Sequence, residues 1–187
     1  MDDLRLARAA ASGDPEARER FVRAQAPAAL RLLRTLARNR EDAEDLTGAA
    51  MLRALGAIGR YDGRVPLRVW TLAIALNEGR RYRRRKPWLA LTGEIAIDSH
   101  AASSEDAAVL GVALGRLPTE QRAAFVLCAV EGMEAAEAAL ALGVPEGTVK
   151  SRVHHARRRL RLSLSGTFPD RLPTPCDPEP NHVPSHS

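Results

Sequence analysis

Apolar positions recur at helical spacing near the end of the chain. In the stretch GVPEGTVKSRVHHARRRL, residues 143–160, four apolar side chains follow one another at steps of four, three and four: Val149, Val153, Ala156 and Leu160. Such spacing gives a helix one narrow apolar face. Pro145 suits the first helical position, because its fixed φ is already helical and its missing N–H would be unpaired there. The pattern predicts a helix that turns one face into a core.

The other faces of this helix are polar and cationic. They carry eight side chains able to bond phosphates or base edges: Thr148, Lys150, Ser151, Arg152, His154, His155, Arg157 and Arg158. Before the helix, AAEAALAL at residues 135–142 predicts a shorter helix, and Gly143-Val144 a tight turn. A charged face alone is usually only solvated surface. Helix, turn and basic helix in this order are typical of a helix-turn-helix, and we interpret them as a DNA-binding unit.

Helical spacing also fills the first half of the chain. Asp14 and Pro15 are typical of a helix cap and a first helical position, and they separate an initial helix from a second one that extends to about residue 38. Pro27 lies within the second helix and is expected to bend or split it. Asn39 can cap a third helix. After the loop YDGRVP, residues 67–85 return to helical spacing.

Composition favours an all-α protein. Hydrophobic residues make up 45% of the chain and aromatic residues only 4%, with Ala and Leu dominant, which favours helices over strands. The stretch TGEIAIDSHAASSED is nearly without positive charge and is typical of a linker. Half of the 12 prolines follow Gly166, which predicts a disordered tail. We therefore expect two small helical domains, at residues 1–88 and 107–165. A flexible linker at residues 89–106 joins them, and a disordered tail follows at residues 166–187.

The charge balance favours a polyanionic partner. The formal net charge is +5, the pI is about 10.0, and only Lys86 and Lys150 are lysines. Arginine donates bidentately to phosphate and guanine. Six cations lie within residues 80–86, which is more than the dipole of a helix C-terminus requires. Phosphate contact is therefore predicted for this cationic segment, which includes Arg80 and Arg84.

Several other classes of protein are disfavoured. The N-terminus is acidic and no apolar run reaches membrane-spanning length, so we expect a cytoplasmic protein without membrane insertion. No nucleophile and base form a recognisable arrangement and no Gly-rich phosphate loop is present, so neither an enzyme nor a cofactor is expected. Cys176, His182 and His186 lack a fourth ligand and a folded frame, so no metal site is expected. Cys128 lies in the apolar run AAFVLCAV and is predicted to be a core residue.

Two stretches resemble the extracytoplasmic-function (ECF) sigma factors of bacterial RNA polymerase. LPTEQRAAFVLCAVEGMEAAEAALALGVPEGTVKSRVHHARRRLR is similar to the family's −35 binding domain, with GTVKSR as its most specific string. EDAEDL, followed by RYDGRVPLRVWTLAIALNEGRRYRRR, is similar to the domain that binds the polymerase clamp and melts the −10 element. The resemblance covers about residues 4–162. It implies an initiation factor whose partners are core RNA polymerase, promoter DNA and, as in many members, an anti-sigma factor.

The resemblance also implies roles for the residues of the helix-turn-helix. Base edges would be approached by Lys150, Ser151, His154 and His155. Phosphates would be held by Thr148 and Arg157. Glu137 and Arg152 would form a structural pair that fixes the angle between the two helices. The family commonly has Arg where this chain has His155, so the preferred −35 sequence is expected to differ.

In the first domain the resemblance implies two surfaces. The −10 element would be contacted by Arg53, Tyr61, Leu72 and Asn77, next to the cationic Arg80 and Arg84. Tyr61 and the loop after it stand where the family forms a pocket for an unstacked base. The polymerase clamp would be met by Asp42, Glu44, Asp45 and Leu46. Thr47, Gly48 and Ala49 then depart from the family's pattern.

A stand-alone dimeric helix-turn-helix regulator is the alternative function. Such dimers place their recognition helices one DNA turn apart. EDAEDL and the Arg-rich helix end would then have no task. The sequence therefore predicts a sigma factor that binds core polymerase, recognises −35 and −10 elements and helps to open the duplex.

Overall fold

The computed structural model describes residues 2–85 and 105–164, and within these ranges all regular structure is helical. Eight α-helices follow one another: α1 (Asp3–Ala11), α2 (Pro15–Arg34), α3 (Arg40–Ala57), α4 (Leu67–Arg85), α5 (Glu105–Gly115), α6 (Thr119–Phe125), α7 (Ala135–Leu142) and α8 (Glu146–Leu164). A 3-10 turn at Ile58–Arg60 follows α3, and a π-helical turn at Val126–Val130 follows α6. The expected all-α fold is confirmed.

Most of the expected linker and tail lies outside the described residues, together with Cys176, His182 and His186. The last two residues assigned to the linker, Glu105 and Asp106, instead begin α5. The boundary of the second helical group is therefore two residues earlier than the composition indicated.

Side-chain caps define the starts of the first helices. The carboxylate of Asp2 accepts a hydrogen bond from the N–H of Leu4, and Asp14 Oδ1 accepts from Glu16 N and Ala17 N, at 3.0 and 3.3 Å. Asn39 Oδ1 accepts from the N–H at the third position of α3 at 2.8 Å. Each cap satisfies a backbone donor that the helix leaves unpaired, and each contributes about 1 kcal/mol.

The second helix differs from its prediction at its end. It is continuous through Pro27, so of the two expected effects, a bend or a split, the split does not occur, and the helix ends at Arg34 instead of near residue 38. The Thr35 hydroxyl donates to the Leu32 carbonyl at 2.7 Å, and the next N–H groups bond three or four residues back. The chain thus tightens into a turn that satisfies the last carbonyls of α2.

Helices α1 to α4 pack around one core. Its largest fully buried side chains include Phe21, Leu32, Leu33, Leu72 and Leu76. α4 approaches α2 at Gly79, where an added Cβ would lie 2.6 Å from Leu36 Cδ1. The absence of a side chain at this position allows the close contact between the two helices.

In the second half, α8 packs against α5, α6 and α7. The predicted apolar face is confirmed, because Val149, Val153, Ala156 and Leu160 are at most 2% exposed. Gly143 ends α7 in the left-handed conformation, with φ +68°, and its N–H donates to the Ala139 carbonyl at 2.9 Å. This conformation favours glycine and produces the tight turn that leads into α8.

The two halves of the chain are in contact. α4 packs against α7, and a single buried cluster includes Leu72 and Leu76 from the first half and Ala138 and Leu142 from the second. The small side chains of α7 allow the backbones to approach closely. The described residues therefore form one closed arrangement.

Candidate nucleic-acid interface

The outward face of α8 presents four of the predicted DNA-binding side chains to solvent. Lys150, Ser151, His154 and His155 are exposed, while Thr148 near the helix start is half-buried. The two imidazole rings lie edge to face, with centroids 5.7 Å apart. Their placement opposite the buried apolar stripe turns these donors and acceptors towards solvent.

Lys150 also forms an ion pair along its own helix. Its Nζ lies 2.8 Å from Glu146 Oε1, one turn earlier, and both side chains are about half exposed. An exposed pair of this kind contributes only about 0.5 kcal/mol. The lysine can therefore exchange the carboxylate for a phosphate or base at little cost.

Arg157 does not lie on the outward face. It is only 6% exposed and belongs to the buried side of α8, so the predicted phosphate contact does not fit its position. The sequence held the signal for this, because position 157 is four after Val153 and three before Leu160, on the apolar stripe itself. Arg158, seven positions after Ser151, is exposed, as are Arg159 and Arg161, so the outward face offers arginines other than Arg157.

The predicted pair between Glu137 and Arg152 is not formed. Arg152 Nη1 lies 3.1 Å from Glu120 Oε2 on α6. Glu137 occupies the third position of α7, and its Oε2 accepts from the N–H of Glu134 at 3.2 Å in a capping box. Because the cap engages Glu137, the carboxylate that reaches Arg152 comes from another helix. The pair ties α8 to α6 instead of α7.

The predicted −10 residues divide into exposed and buried groups. Asn77 and Arg84 are exposed on α4. Leu72 is only 1% exposed and is a core residue, so its predicted direct contact with DNA does not fit this structure. Arg53 Nε is held 2.5 Å from Glu78 Oε1, although the arginine side chain remains half exposed.

Tyr61 organises the loop between α3 and α4. Its hydroxyl donates to the Val65 carbonyl at 2.7 Å, and its ring lies edge to face against the half-buried Trp70, with centroids 5.7 Å apart. Burial, with the charges of Asp3 and other nearby carboxylates, raises the pKa of Tyr61. Tyr61 is only 7% exposed, so its side chain supports the loop from the interior of the protein.

A carboxylate from α1 fixes the end of the same loop. Asp3 Oδ2 accepts from the N–H of Leu67, the first residue of α4, at 2.8 Å. Asp2 caps α1, whereas Asp3 caps a helix that begins 64 residues further along the chain.

The acidic start of α3 has an outward and an inward side. Glu44 and Asp45 are exposed, whereas Asp42 is turned towards α4, where its Oδ2 accepts from the Tyr82 hydroxyl at 2.7 Å. The same oxygen lies 3.2 Å from Nε of Arg38, which precedes α3. Burial, followed by the hydrogen bond to Asp42, raises the pKa of Tyr82 to about 12. Leu46 is partly buried against the core. Of the predicted polymerase-binding residues, only Glu44 and Asp45 thus face outward.

Arg80 is turned towards the second half of the chain. Its Nη2 donates to the carbonyl of Leu142, the last residue of α7, at 3.0 Å, and lies 3.6 Å from Glu120 Oε2. In this arrangement Arg80 is not available to a phosphate. Arg84, one turn later, remains exposed.

Two features are absent from the described parts of the chain. Within residues 2–85 and 105–164, no three His, Cys, Asp or Glu side chains cluster in a way that could hold a metal ion. None of the helices in these ranges combines the length and apolarity needed to cross a membrane.

The chain matches two family models in order. Residues 21–89 match Sigma-70 region 2, and residues 108–160 match Sigma-70, region 4. The ECF RNA polymerase sigma factor SigC of Mycobacterium tuberculosis is 36% identical over 174 residues, which cover 89% of this chain and 92% of that protein. This chain belongs to the ECF sigma factors. SigM of Mycobacterium tuberculosis is 39% identical over 167 residues, covering 87% of this chain and 84% of that protein.

Solved ECF sigma factors share the fold. CnrH, in complex with the cytosolic domain of CnrY, superposes with a TM-score of 0.69 at 28% identity, over 90% of this chain and 100% of that chain. RpoE of Bartonella quintana, in complex with the anti-sigma factor NepR, superposes with a TM-score of 0.67 at 27% identity, over 76% of this chain and 93% of that chain.

Family membership decides between the functions that the sequence left open. As an ECF sigma factor, the protein binds core RNA polymerase and promoter DNA and directs promoter-specific transcription initiation. A stand-alone regulator is not supported. Sigma factors are in general not enzymes.

Proposed function

We propose that this ECF sigma factor reads the −35 element with the outward face of α8 and the −10 element with the exposed side of α4. The observation that carries the proposal is the exposure of Lys150, Ser151, His154 and His155 on one face of a helix whose opposite stripe is buried. The protein acts in the cytoplasm, without a catalytic site of its own. Residues 1–88 and 107–165 divide the two recognition tasks.

The −35 reading follows from the chemistry of the outward face. The first turns of a recognition helix approach the base edges. Lys150 can donate to guanine, Ser151 can donate or accept, and each imidazole can do either according to its tautomer. Arg158, one turn further on, supplies the phosphate contact that the buried Arg157 cannot make. Together these residues give sequence readout with a cationic anchor.

The −10 reading combines a base-edge reader, a cation and an aromatic support. Asn77 can bond adenine bidentately, and Arg84 can hold the backbone of a displaced strand. The edge-to-face pair of Tyr61 and Trp70 supports residues 62–66, the loop that would receive an unstacked base. Arg53 can also contact the −10 DNA once its ion pair with Glu78 is broken.

The polymerase contact rests on Glu44 and Asp45. Both carboxylates are exposed on the first turns of α3, and Glu41 extends the same acidic surface at the helix start. An acidic helix start fits a basic surface on the polymerase. Asp42 acts indirectly, because its contacts with Arg38 and Tyr82 hold α3 against α4.

Regulation by an anti-sigma factor is part of the proposal. The solved complexes of CnrH with CnrY and of RpoE with NepR support it, because this chain superposes on both sigma factors over most of its length. A partner of that kind would cover the polymerase-binding or DNA-binding surfaces.

Run-off transcription with purified core polymerase tests the proposal. We expect specific initiation with the parent protein, and its loss together with weaker polymerase binding in Asp45→Arg. Glu19→Arg is the matched control, because Glu19 is an exposed carboxylate on α2 whose ion pair lies within its own helix. Full initiation by Asp45→Arg would refute the acidic contact, and failure of the parent protein to initiate with any promoter fragment would refute the whole proposal.

A further inference from the structure

Two histidines lie next to each other on the outward face of α8. His154 and His155 are both exposed, and their rings lie edge to face with centroids 5.7 Å apart. A helix turns by about 100° per residue, so the two side chains lie about 50° to either side of the direction shared by Ser151 and Arg158. That direction is opposite the buried apolar stripe. We call His154 and His155 the histidine pair, and it occupies the middle of the face assigned to the −35 element.

The neighbours of the histidine pair along α8 are mostly cations. Lys150 lies one turn before His154, and Arg158 and Arg159 lie one turn after the two histidines; all three are exposed. The carboxylate of Glu146 is 2.8 Å from Lys150 Nζ. The histidine pair is thus surrounded along its own helix by charges that attract DNA.

The charged groups of the helices packed against α8 have other partners. On α6, Glu120 lies 3.1 Å from Arg152 Nη1, and the buried Arg122 donates to the Gly115 carbonyl at 3.1 Å. On α7, Glu137 belongs to the capping box. Residues 109–115 of α5 carry no charged side chain. The carboxylates of α6 and α7 are therefore engaged away from the histidine pair.

The two protonation states of an imidazole offer different hydrogen bonds. A neutral imidazole has one donor and one acceptor, whereas a protonated one has two donors and no acceptor. In the major groove guanine presents two acceptors, while adenine and cytosine each present an amino donor. A protonated histidine therefore fits guanine, and only a neutral one can accept from an amino group. Histidine ordinarily changes between these states from about pH 5 to 8.

DNA favours the protonated state of the histidine pair. A duplex carries one negative charge per about 1.7 Å of its axis, so a protonated histidine gains an attraction on binding that a neutral one lacks. The bound protein then holds more protons than the unbound protein. Because this coupling is reciprocal, the affinity for DNA rises as the pH falls through the range in which histidine titrates.

We propose that the histidine pair determines base specificity at the −35 element in a proton-dependent manner: the protonated pair binds more tightly and prefers guanine. This proposal rests on the assignment of α8 to the −35 element. Lys150 and Arg158 keep their charge over this pH range, so they supply a constant attraction. The variable part of the recognition comes from His154 and His155.

Promoter binding at several pH values tests the proposal. Full-length protein is combined with core polymerase, and fluorescence anisotropy measures the affinity for a labelled promoter fragment between about pH 6 and 8 at constant ionic strength. The double variant His154→Gln/His155→Gln keeps hydrogen-bonding side chains that do not titrate. We expect the affinity of the parent relative to this variant to be about three- to tenfold higher at the lower pH. The ratio removes any pH dependence of the polymerase itself.

Base preference gives a second measurement on the same complexes. Promoter fragments with single substitutions in the −35 element should show a preference for guanine that is stronger at the lower pH for the parent. The double variant should show no such change with pH, because an amide offers the same donor and acceptor throughout.

Two single variants complete the test. His155→Arg carries a constant charge, so it should bind tightly over the whole range and reduce the pH dependence. It also provides a measurable complex if the double variant binds too weakly. His100→Gln removes a histidine outside α8 and should keep the pH profile of the parent. All substitutions on α8 are at exposed positions, so circular dichroism should show unchanged helix content.

The outcomes separate this proposal from the assignment of α8. If the parent, the double variant and His155→Arg share one pH profile, the histidine pair is not a proton-dependent reader and the proposal is wrong. Sequence-specific binding to the −35 element would in that case still support the assignment of α8. If the parent complex shows no preference for a −35 sequence at any pH, the assignment of α8 is wrong as well.

Discussion

At the scale of single residues, neighbouring arginines on α8 have different tasks. Arg157 is 6% exposed, whereas Arg158 next to it is exposed. A step of one residue turns a side chain about 100° around a helix, so one arginine enters the protein and the other faces solvent. Charge alone therefore does not predict which arginine can reach an external ligand. The position relative to the apolar stripe decides whether the side chain is exposed.

The pair Arg157 and Arg158 gives a direct prediction. Arg158→Ala should weaken binding to a −35 duplex similarly for all sequences and lower the salt slope by about 1, because one phosphate contact is lost. Arg157→Ala should instead destabilise the fold by about 1–3 kcal/mol through lost packing. Fluorescence anisotropy at several salt concentrations and thermal unfolding measure the two effects. A reversed result, with Arg157→Ala changing the salt slope, would place Arg157 at the DNA.

At the scale of helices, two glycines in helix interiors differ in the space around them: one lies in a close contact and the other in open solvent. Gly79 lies where α4 approaches α2, and an added Cβ would be 2.6 Å from Leu36 Cδ1 and 3.1 Å from Leu33 Cδ2. Gly48 lies on the exposed side of α3, where an added Cβ would meet nothing within 4 Å. The first glycine serves packing between helices. The second only lowers the intrinsic stability of its own helix.

Alanine at these two positions should therefore have opposite effects. Gly79→Ala should lower the free energy of unfolding by about 1–3 kcal/mol, because Leu33 and Leu36 must move out of a packed core. Gly48→Ala should raise it by up to about 1 kcal/mol, since alanine favours the helical backbone. Urea unfolding followed by circular dichroism compares them. Equal effects of the two substitutions would show that the contact between α2 and α4 tolerates a methyl group.

At the scale of the whole molecule, the closed arrangement affects the two DNA surfaces unequally. Lys150, Ser151, His154 and His155 remain exposed while the halves are in contact, whereas Arg80 is engaged by Leu142. The superposition on CnrH extends over 90% of this chain, so it includes both halves together. The outward face of α8 is therefore exposed while the two halves are in contact, whereas Arg80 lies within that contact.

Much of the fold could be predicted because its signals are local. Asp14 and Asn39 cap helices with backbone N–H groups two or three residues away, and the stripe from Val149 to Leu160 depends only on the helical repeat. The polar face of α8 follows from the same repeat. The two stretches that resemble ECF sigma factors predicted the family, which the family models and relatives confirm. Local chemistry and these motifs thus determined the helices, the helix-turn-helix and the class of protein.

Only the tertiary structure decided the partners of charged side chains. Arg152 pairs with Glu120 because the cap of α7 engages Glu137, and Asp3 caps a helix 64 residues away. Glu131 meets Arg31 across 100 positions of sequence. A helical repeat tells which side of a helix is buried, but it contains no information on which other element covers that side. The closed contact between the halves was therefore beyond the sequence, because it depends on how α4 and α7 meet in space.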